Sequence, residues 1–186
     1  MPVNGQQRRD AQRNRARILD TANAEITSRG PDVPMEDIAR AAGVAVGTLY
    51  RHFPTKADLV AATLEQHIAS IAEQLESALR RIGGGVPAGE EIRSLFLGWV
   101  DSHSDSRILK EAAKSLGAYS TESDAMLRMD GALRELLQQG AGSGDLRPDV
   151  EPADIYLLMS TMPADEPDAA RRRWAEIISR GLLKTA

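Results

Sequence analysis

The sequence predicts an all-α fold, in which an N-terminal three-helix helix-turn-helix domain is joined by a long helix to a C-terminal helical domain. Apolar residues recur at the three- to four-residue spacing of amphipathic helices along most of the chain. Aromatic residues make up only 4% of the composition, and no segment alternates as a strand does. With 186 residues, 42% of them hydrophobic, the chain can bury a sizeable core in one domain or two small ones.

The chain begins with a polar segment, residues 1–8, which predicts a disordered tail. A helix follows it and ends where Gly30 and Pro31 interrupt the pattern. The apolar face of this helix consists of Ile18, Leu19, Ala22 and Ile26.

Two short helices separated by one glycine follow, within residues 34–53. The spacing predicts helices over Met35–Ala42 and Val46–His52, and Pro54 ends the second one. Gly43 between them supplies the positive φ that a sharp turn needs. This is the layout of a helix-turn-helix, whose second helix enters the major groove of DNA.

The residues of this segment carry a more specific pattern, IARAAGVAVGTLYRHFPTK. An apolar-Ala pair and Ala-Gly-Val precede Gly-Thr-Leu-Tyr-Arg-His-Phe, and a Lys lies three residues after the Phe. This pattern resembles the TetR family of bacterial transcription repressors over about residues 13–66. The resemblance implies a DNA-binding domain at residues 9–56 and an effector-binding and dimerisation domain at 57–186. The DNA contacts that the resemblance implies are Thr48, Tyr50, His52 and Lys56. The other candidate contacts, on and beside the second helix, are Ala45, Val46, Gly47 and Arg51.

The chemistry of these side chains fits DNA. Hydroxyl, imidazole and ammonium groups donate hydrogen bonds to phosphate oxygens, and Arg51 suits a guanine edge or an adjacent phosphate. The sequence departs from the family pattern at Pro34 and Ala45, where a Thr and a Ser that can cap the helices are usual, so both caps are expected to be missing. The arginines before the first helix are either a solvated face or an arm that reaches the minor groove or backbone. The candidates for that arm are Arg8, Arg9 and Arg13.

The net charge of −4 argues against DNA binding only if it is spread evenly. Residues 1–56 contain nine Lys or Arg and six Asp or Glu, whereas residues 57–186 contain fourteen and twenty-one. The acidic surplus therefore belongs to the second part of the chain, and the basic charge lies with the motif.

A long helix is predicted at Lys56–Ile82. The C-terminal half that follows it is predicted to form further helices with bulky apolar residues. By resemblance it holds a ligand cavity and a two-fold dimer interface, although each of these residues could equally be plain core. The mostly apolar set favours a small apolar or aromatic effector. The pocket candidates are Phe96, Trp99, His103, Tyr119, Met126, Met129 and Tyr156. The interface candidates are Leu157, Leu158, Trp174, Ile177, Ile178 and Leu182.

Other classes of function have little support. There is no Cys, the three His residues lack metal-ligand spacing, and no nucleophile, phosphate-loop or dinucleotide motif occurs. We therefore expect no enzyme, metal or cofactor. The N-terminus has no apolar signal core and no apolar run approaches a membrane span, so the expected location is the cytoplasm.

The function expected from these observations is a sequence-specific transcriptional regulator, a ligand-released repressor that binds a palindromic operator as a homodimer. The alternatives are an activator of the same fold and, with less support, a helical small-molecule carrier or enzyme.

Overall fold

A computed structural model describes the backbone of residues 3–163 and 166–183, and their side chains except those of residues 3–8 and 101–106. Helices make up most of this part, and Leu146 and Leu183 form a single antiparallel bridge rather than a strand. The all-α prediction is therefore confirmed. The helices are α1 (Val3–Arg29), α2 (Met35–Ala41), α3 (Val46–His52), α4 (Lys56–Gly83), α5 (Ala88–Ser115), α6 (Asp124–Ser143), α7 (Pro152–Ser160) and α8 (Asp168–Leu182).

The observed helix bounds agree closely with the predicted bounds on both sides of the turn at Gly43. Helix α3 has the predicted bounds, and α2 ends one residue before the predicted Ala42. Helix α1 differs, because its backbone is helical from Val3, within the segment 1–8 that was expected to be a disordered tail. Gln and Arg are favourable helix formers, and extending an existing helix is easier than starting one, so the helix runs outward into this polar segment.

The described chain divides into two compact units. The first comprises Met1–His67 and Asp105–Thr121, and the second Ile68–Ser104 and Glu122–Ala186. The division within α4 thus falls after His67, beyond the expected domain boundary at residue 56. The end of α5 contributes to the first unit.

The first unit has an aliphatic interior to which each of its helices contributes. Fully buried side chains come from α1, from both short helices, from the start of α4 and from the end of α5. Because α2 and α3 have seven residues each, burial against the longer helices rather than helix propensity must hold them in place. The largest of these buried side chains are Ile18, Ile26, Ile38, Leu49, Leu59, Val60 and Leu109.

The second unit has a core built mainly from α4, α5 and α6, with Ile155 of α7 buried against it. At its edge, Arg81 of α4 donates two hydrogen bonds of 2.7 Å to the carboxylate of Glu91 in α5. Glu91 is only 7% exposed, and hydrogen bonding from Arg81 lowers the pKa of its carboxyl below the ordinary range. A buried charge of this kind is tolerated because its partner makes two hydrogen bonds with it.

Gly140 of α6 faces Ile92 of α5 and Leu146 of the following loop. A Cβ at this position would lie 2.6 Å from Cδ1 of Ile92 and 3.1 Å from Cβ of Leu146. The Gly140 carbonyl also accepts a 2.9 Å hydrogen bond from the Leu146 backbone N–H, which draws the following loop against the helix. A side chain at residue 140 would therefore force the end of the Ile92 side chain, and to a smaller extent Leu146, to move. No helix in the described part of the chain has the length and apolar character needed to cross a membrane.

We expect Gly140→Ala to lower the free energy of unfolding by about 1–3 kcal/mol, because the added methyl group overpacks the contact with Ile92. Gly142→Ala in the same helix is the matched control, since no atom lies within 4 Å of its added Cβ. The control should be neutral or stabilising by up to about 1 kcal/mol. Urea unfolding followed by circular dichroism measures both. The explanation would be wrong if Ile92→Val, which removes the clashing methyl group, gave no recovery in the Gly140→Ala background.

Candidate nucleic-acid interface

The turn between α2 and α3 is a Schellman motif centred on Gly43. The Val44 N–H donates to the Ala39 carbonyl at 3.0 Å, and the Gly43 N–H donates to the Arg40 carbonyl at 3.1 Å. Gly43 has φ +63°, in the left-handed region that glycine adopts without strain. The predicted positive φ is confirmed, and the motif ends α2 sharply enough for α3 to begin at Val46.

Helix α3 buries one side and exposes the other. Leu49 is fully buried, and Phe53, the residue that ends the helix, is 2% exposed. The opposite side carries Val46 at 39% and Tyr50 at 40% exposure. These residues lie on one short helix held by its inner side, so the structure brings most of the predicted contact set together. In that set Ala45, Gly47 and Arg51 are also exposed, and Thr48 and His52 are half-buried.

Neither short helix has a side-chain cap. Pro34 and Ala45 are the N-cap residues of α2 and α3, and neither makes a side-chain cap hydrogen bond. The two missing caps expected from the sequence are thus confirmed. The Ala45 carbonyl instead accepts backbone hydrogen bonds from Thr48 at 2.8 Å and Leu49 at 3.2 Å. The N–H groups of Val46 and Gly47, which precede Thr48 in the same turn, have no backbone partner among the described hydrogen bonds and are open to solvent or a ligand.

Tyr50 is connected to α2 by its hydroxyl group. The hydroxyl donates a 3.2 Å hydrogen bond to Oε1 of Glu36, which is exposed in the first turn of α2. Partial burial and the neighbouring Glu36 carboxylate raise the pKa of Tyr50 above its ordinary value. Tyr50 therefore stays a neutral hydrogen-bond donor throughout the neutral pH range.

A network of ion pairs surrounds Asp37, the residue after Glu36. Arg29 at the end of α1 binds Asp37 at 2.7 Å and Glu25 at 2.8 Å, and Arg40 binds Asp37 at 2.9 Å. Hydrogen bonding from Arg29 lowers the pKa of Asp37. Although each of these pairs is partly exposed and individually weak, together they connect α1 to α2.

Lys56 is oriented inward. Its ammonium donates a hydrogen bond to the carbonyl of Val33 in the loop before α2, and the side chain is half-buried. Burial lowers the pKa of Lys56, and the charge of Asp32 opposes this shift. The start of α4 is fixed by a reciprocal cap, in which the Thr55 N–H and hydroxyl donate to Asp58 and the Asp58 N–H donates to the Thr55 hydroxyl. Lys56 therefore bonds to the loop, while two of its three N–H donors remain for another partner.

The arginines of α1 show one contact that the sequence did not indicate. The guanidinium of Arg15 lies 5.3 Å from the centre of the Phe53 ring, over its face, in a cation–π contact. Among the predicted arm residues, Arg9 and Arg13 are exposed, and the side chain of Arg8 lies outside the described part. Arg15 and Glu36 are thus the residues beside α3 that sequence reasoning missed. Only the three-dimensional pairing with Phe53 and Tyr50 identifies them.

The predicted effector-pocket residues are dispersed. The second unit contains an apolar cavity of about 20 Å³. Phe96 and Trp99 line this cavity, and Met129 packs against the same core. A site of that volume holds about one water molecule, far less than an effector. The lining consists of Ile92, Leu95, Phe96, Trp99, Leu133, Leu136, Leu137, Leu146, Ile155 and Leu182.

Other members of the predicted pocket lie elsewhere. Tyr119 belongs to the first unit, where Lys110 and Lys114 lie over its ring at 5.6 and 6.0 Å. Tyr156 is 39% exposed and donates a 3.1 Å hydrogen bond to Asp130. Burial, with the Asp130 charge, raises the pKa of Tyr156 to about 12. The last two are Met126, which is half-buried, and His103, whose side chain lies outside the described part.

The predicted interface residues fall into two groups. Leu157 and Ile177 are exposed at 63% and 55%, which is unusual for such large apolar side chains. Trp174 instead stacks on Phe96 at 5.9 Å, and Leu182 lines the cavity, so both contribute to the core of their own chain. Leu158 and Ile178 are half-buried.

Comparison with known proteins also identifies the helix-turn-helix segment. Residues 18–63 match the family model of the bacterial regulatory proteins, tetR family. The HTH-type transcriptional repressor KstR of Mycolicibacterium smegmatis is 38% identical over 80 residues, which cover 42% of this chain. The chain spans about two fifths of the length of the curated relatives it matches, 38% for KstR and 39% for a transcriptional regulator of Staphylococcus aureus.

Solved structures extend the likeness over nearly the whole chain. The TetR transcription regulatory protein from Mycobacterium vanbaalenii is 33% identical with a TM-score of 0.77, covering 96% of this chain and 99% of that one. A TetR transcriptional regulator from Streptomyces coelicolor is 27% identical with a TM-score of 0.73, covering 92% and 99%. This chain therefore belongs to the TetR family of bacterial regulatory proteins and is a transcriptional regulator with a DNA-binding helix-turn-helix.

Proposed function

We propose that the protein is a repressor that binds a palindromic operator as a homodimer and is released from it by a small apolar or aromatic effector. The observation that carries this proposal is the burial of only one side of α3. Leu49 fixes the inner side of the helix, while Val46, Tyr50 and Arg51 stay exposed on a helix short enough to fit a major groove. Repression is supported by the local likeness to KstR, which is named a repressor.

In this proposal α3 lies in the major groove and its residues divide into two roles. Arg51 contacts a base edge, since its planar guanidinium can bind guanine through two hydrogen bonds. Thr48, Tyr50 and His52 donate to phosphates, together with the uncapped N–H groups of Val46 and Gly47 that follow Ala45. Lys56 adds a phosphate contact through the N–H donors that Val33 does not use.

Fewer observations support a DNA contact by the arginine arm at the start of α1. Arg9 and Arg13 are exposed on a helix, so they can approach a phosphate only if that helix end faces the DNA. With Arg8 they would add electrostatic affinity without sequence information.

The homodimer is supported by the exposed apolar residues of α7 and α8. Leu157 and Ile177 lie mostly in solvent in the single chain, and burying what remains exposed of each stabilises an association by about 1–2 kcal/mol. Leu158 and Ile178 are half-buried and would lose their remaining exposure in the same contact. Trp174 and Leu182 would support this surface from inside their own core.

The effector site is proposed in the apolar core of the second unit, where Phe96 and Trp99 line the small cavity. Because the cavity has room for about one water molecule, an effector must push its lining apart to enter. Only an apolar ligand can restore the packing that this opening disrupts, because the lining offers no charged side chain. Release from DNA then requires that the effector bind the expanded state better than the DNA-bound state.

The DNA-reading role is tested with Arg51→Ala in a selection from random-sequence duplexes. We expect Arg51→Ala to show a weaker base preference at one or two positions. It should also lose about 1–3 kcal/mol of binding free energy on the sequence that the wild type selects. Arg147→Ala in the loop after α6 removes an equal charge from another exposed arginine and should change neither property. An unaltered preference in Arg51→Ala would contradict base reading by Arg51. A wild type that binds no duplex at low salt, its own upstream region included, would contradict DNA binding altogether.

Dimerisation is tested with Leu157→Glu, which places a charge in the proposed interface. We expect this variant to sediment as a monomer and to bind the selected duplex at least about tenfold more weakly, because each half-site alone gives less than the pair. Leu127→Glu on α6 is a closely matched control, because Leu127 and Leu157 are both 63% exposed. If Leu127→Glu dissociated the dimer while Leu157→Glu remained dimeric, the dimer interface would not lie on α7.

The effector site is tested through the two tryptophans of the chain, Trp99 and Trp174, which lie at or beside the cavity. We expect naphthalene to change their fluorescence emission, and naphthalenesulfonate to have little effect because its charge cannot be buried unpaired. Equal binding of the two probes would argue against an apolar site. A probe that binds free and DNA-bound protein with the same affinity cannot be a releasing effector.

A further inference from the structure

The proposed DNA-facing surface contains an acidic side chain, Glu36, for which the described part of the chain shows no ion pair. Its carboxylate accepts the Tyr50 hydroxyl hydrogen bond at 3.2 Å, and that partner is neutral. Asp37, the next residue, is bound by both Arg29 and Arg40. Within the part of the chain that the structure describes, Glu36 forms no such ion pair, so no cation is bonded to this carboxylate beside α3.

This charge and this hydrogen bond both oppose DNA. Tyr50 has a single O–H donor, so its hydroxyl cannot bind Glu36 and a phosphate with the same hydrogen. A phosphate that reaches Tyr50 also comes close to the Glu36 carboxylate, and like charges repel more strongly where DNA excludes water. Both effects act on the phosphate backbone, which is the same in every sequence.

We propose that Glu36 limits the affinity of the protein for duplex DNA of any sequence, by holding the Tyr50 hydroxyl and by placing an uncompensated carboxylate beside it. The inference rests on the proposed DNA-binding role of α3 and assigns Glu36 to the same surface. Its consequence is a regulator that leaves DNA readily, because weaker backbone contacts speed dissociation from operator and non-operator sequences alike.

The test is Glu36→Gln, which removes the charge and keeps the shape of the side chain. Affinity is measured by fluorescence anisotropy on a random-sequence duplex and on the duplex selected by the wild type. We expect Glu36→Gln to bind both duplexes about threefold to tenfold more tightly, with a steeper dependence on salt. Glu135→Gln makes the same change in net charge on α6, where Glu135 accepts a hydrogen bond only from Gln139 among its described contacts, and should leave affinity unchanged.

The sign of the effect separates this role from a structural one. Glu36 lies in the first turn of α2, where an acid stabilises the helix, so a purely structural residue would lose DNA affinity when neutralised. Weaker or unchanged binding by Glu36→Gln would therefore overturn the proposal. So would a gain confined to one duplex, since that would mean Glu36 reads a base rather than opposing the backbone.

A second pair of variants tests the part played by Tyr50. We expect Glu36→Ala to raise affinity less in a Tyr50→Phe background than in the wild type, because the hydroxyl for which the carboxylate competes is then absent. Equal gains in both backgrounds would overturn the role given to the hydroxyl. If the wild type bound neither duplex at low salt, the proposed function itself would fail. A wild type that binds DNA while Glu36→Gln gains nothing would refute this inference alone.

Discussion

The DNA-binding surface depends on how a seven-residue helix is held from one side. A helix of this length is unstable alone in water, so α3 exists because Leu49 is buried and Gly43 brings the chain sharply out of α2. Phe53 closes the other end, buried beneath the guanidinium of Arg15. Because these contacts use only the inner side of α3, the outer side is free to carry polar groups that packing does not constrain.

The second unit meets a different requirement, because the apolar cavity described in it is small. A cavity of about 20 Å³ among aliphatic and aromatic side chains is close to the packing limit of a protein core. Gly140 shows how tight that packing is, because its missing side chain is what lets α6 approach Ile92. A core of this kind responds to a ligand by rearranging between discrete packings rather than by yielding gradually, which is what a switch requires.

The helix-turn-helix could be predicted from the sequence because its constraints are local. The positive φ of Gly43, the missing caps at Pro34 and Ala45 and the bounds of α3 all depend on residues a few positions apart. The pocket could not be predicted in the same way. Bulk and apolar character select Tyr119 and Tyr156 as readily as Phe96, although Tyr119 lies against lysines of the first unit and Tyr156 bonds Asp130 at the surface. Which apolar residues share a cavity depends on long-range packing that a single helical period does not contain.

The charge of the DNA-binding domain must likewise be assessed residue by residue. The nine basic and six acidic residues of positions 1–56 suggest a modest positive surface for DNA. The structure shows that Arg29 and Arg40 are engaged by Asp37 and Glu25, and that the ammonium of Lys56 bonds to the Val33 carbonyl. Arg29 and Arg40 therefore contribute less to the outer potential than their number implies, whereas a bond to a neutral carbonyl leaves the charge of Lys56 in place. Because Glu36 is exposed beside α3 and bonds there to the neutral Tyr50 hydroxyl, a single carboxylate weighs heavily in what remains. We therefore expect the affinity of such a surface for DNA to follow its few unpaired charges more closely than the sum over the domain.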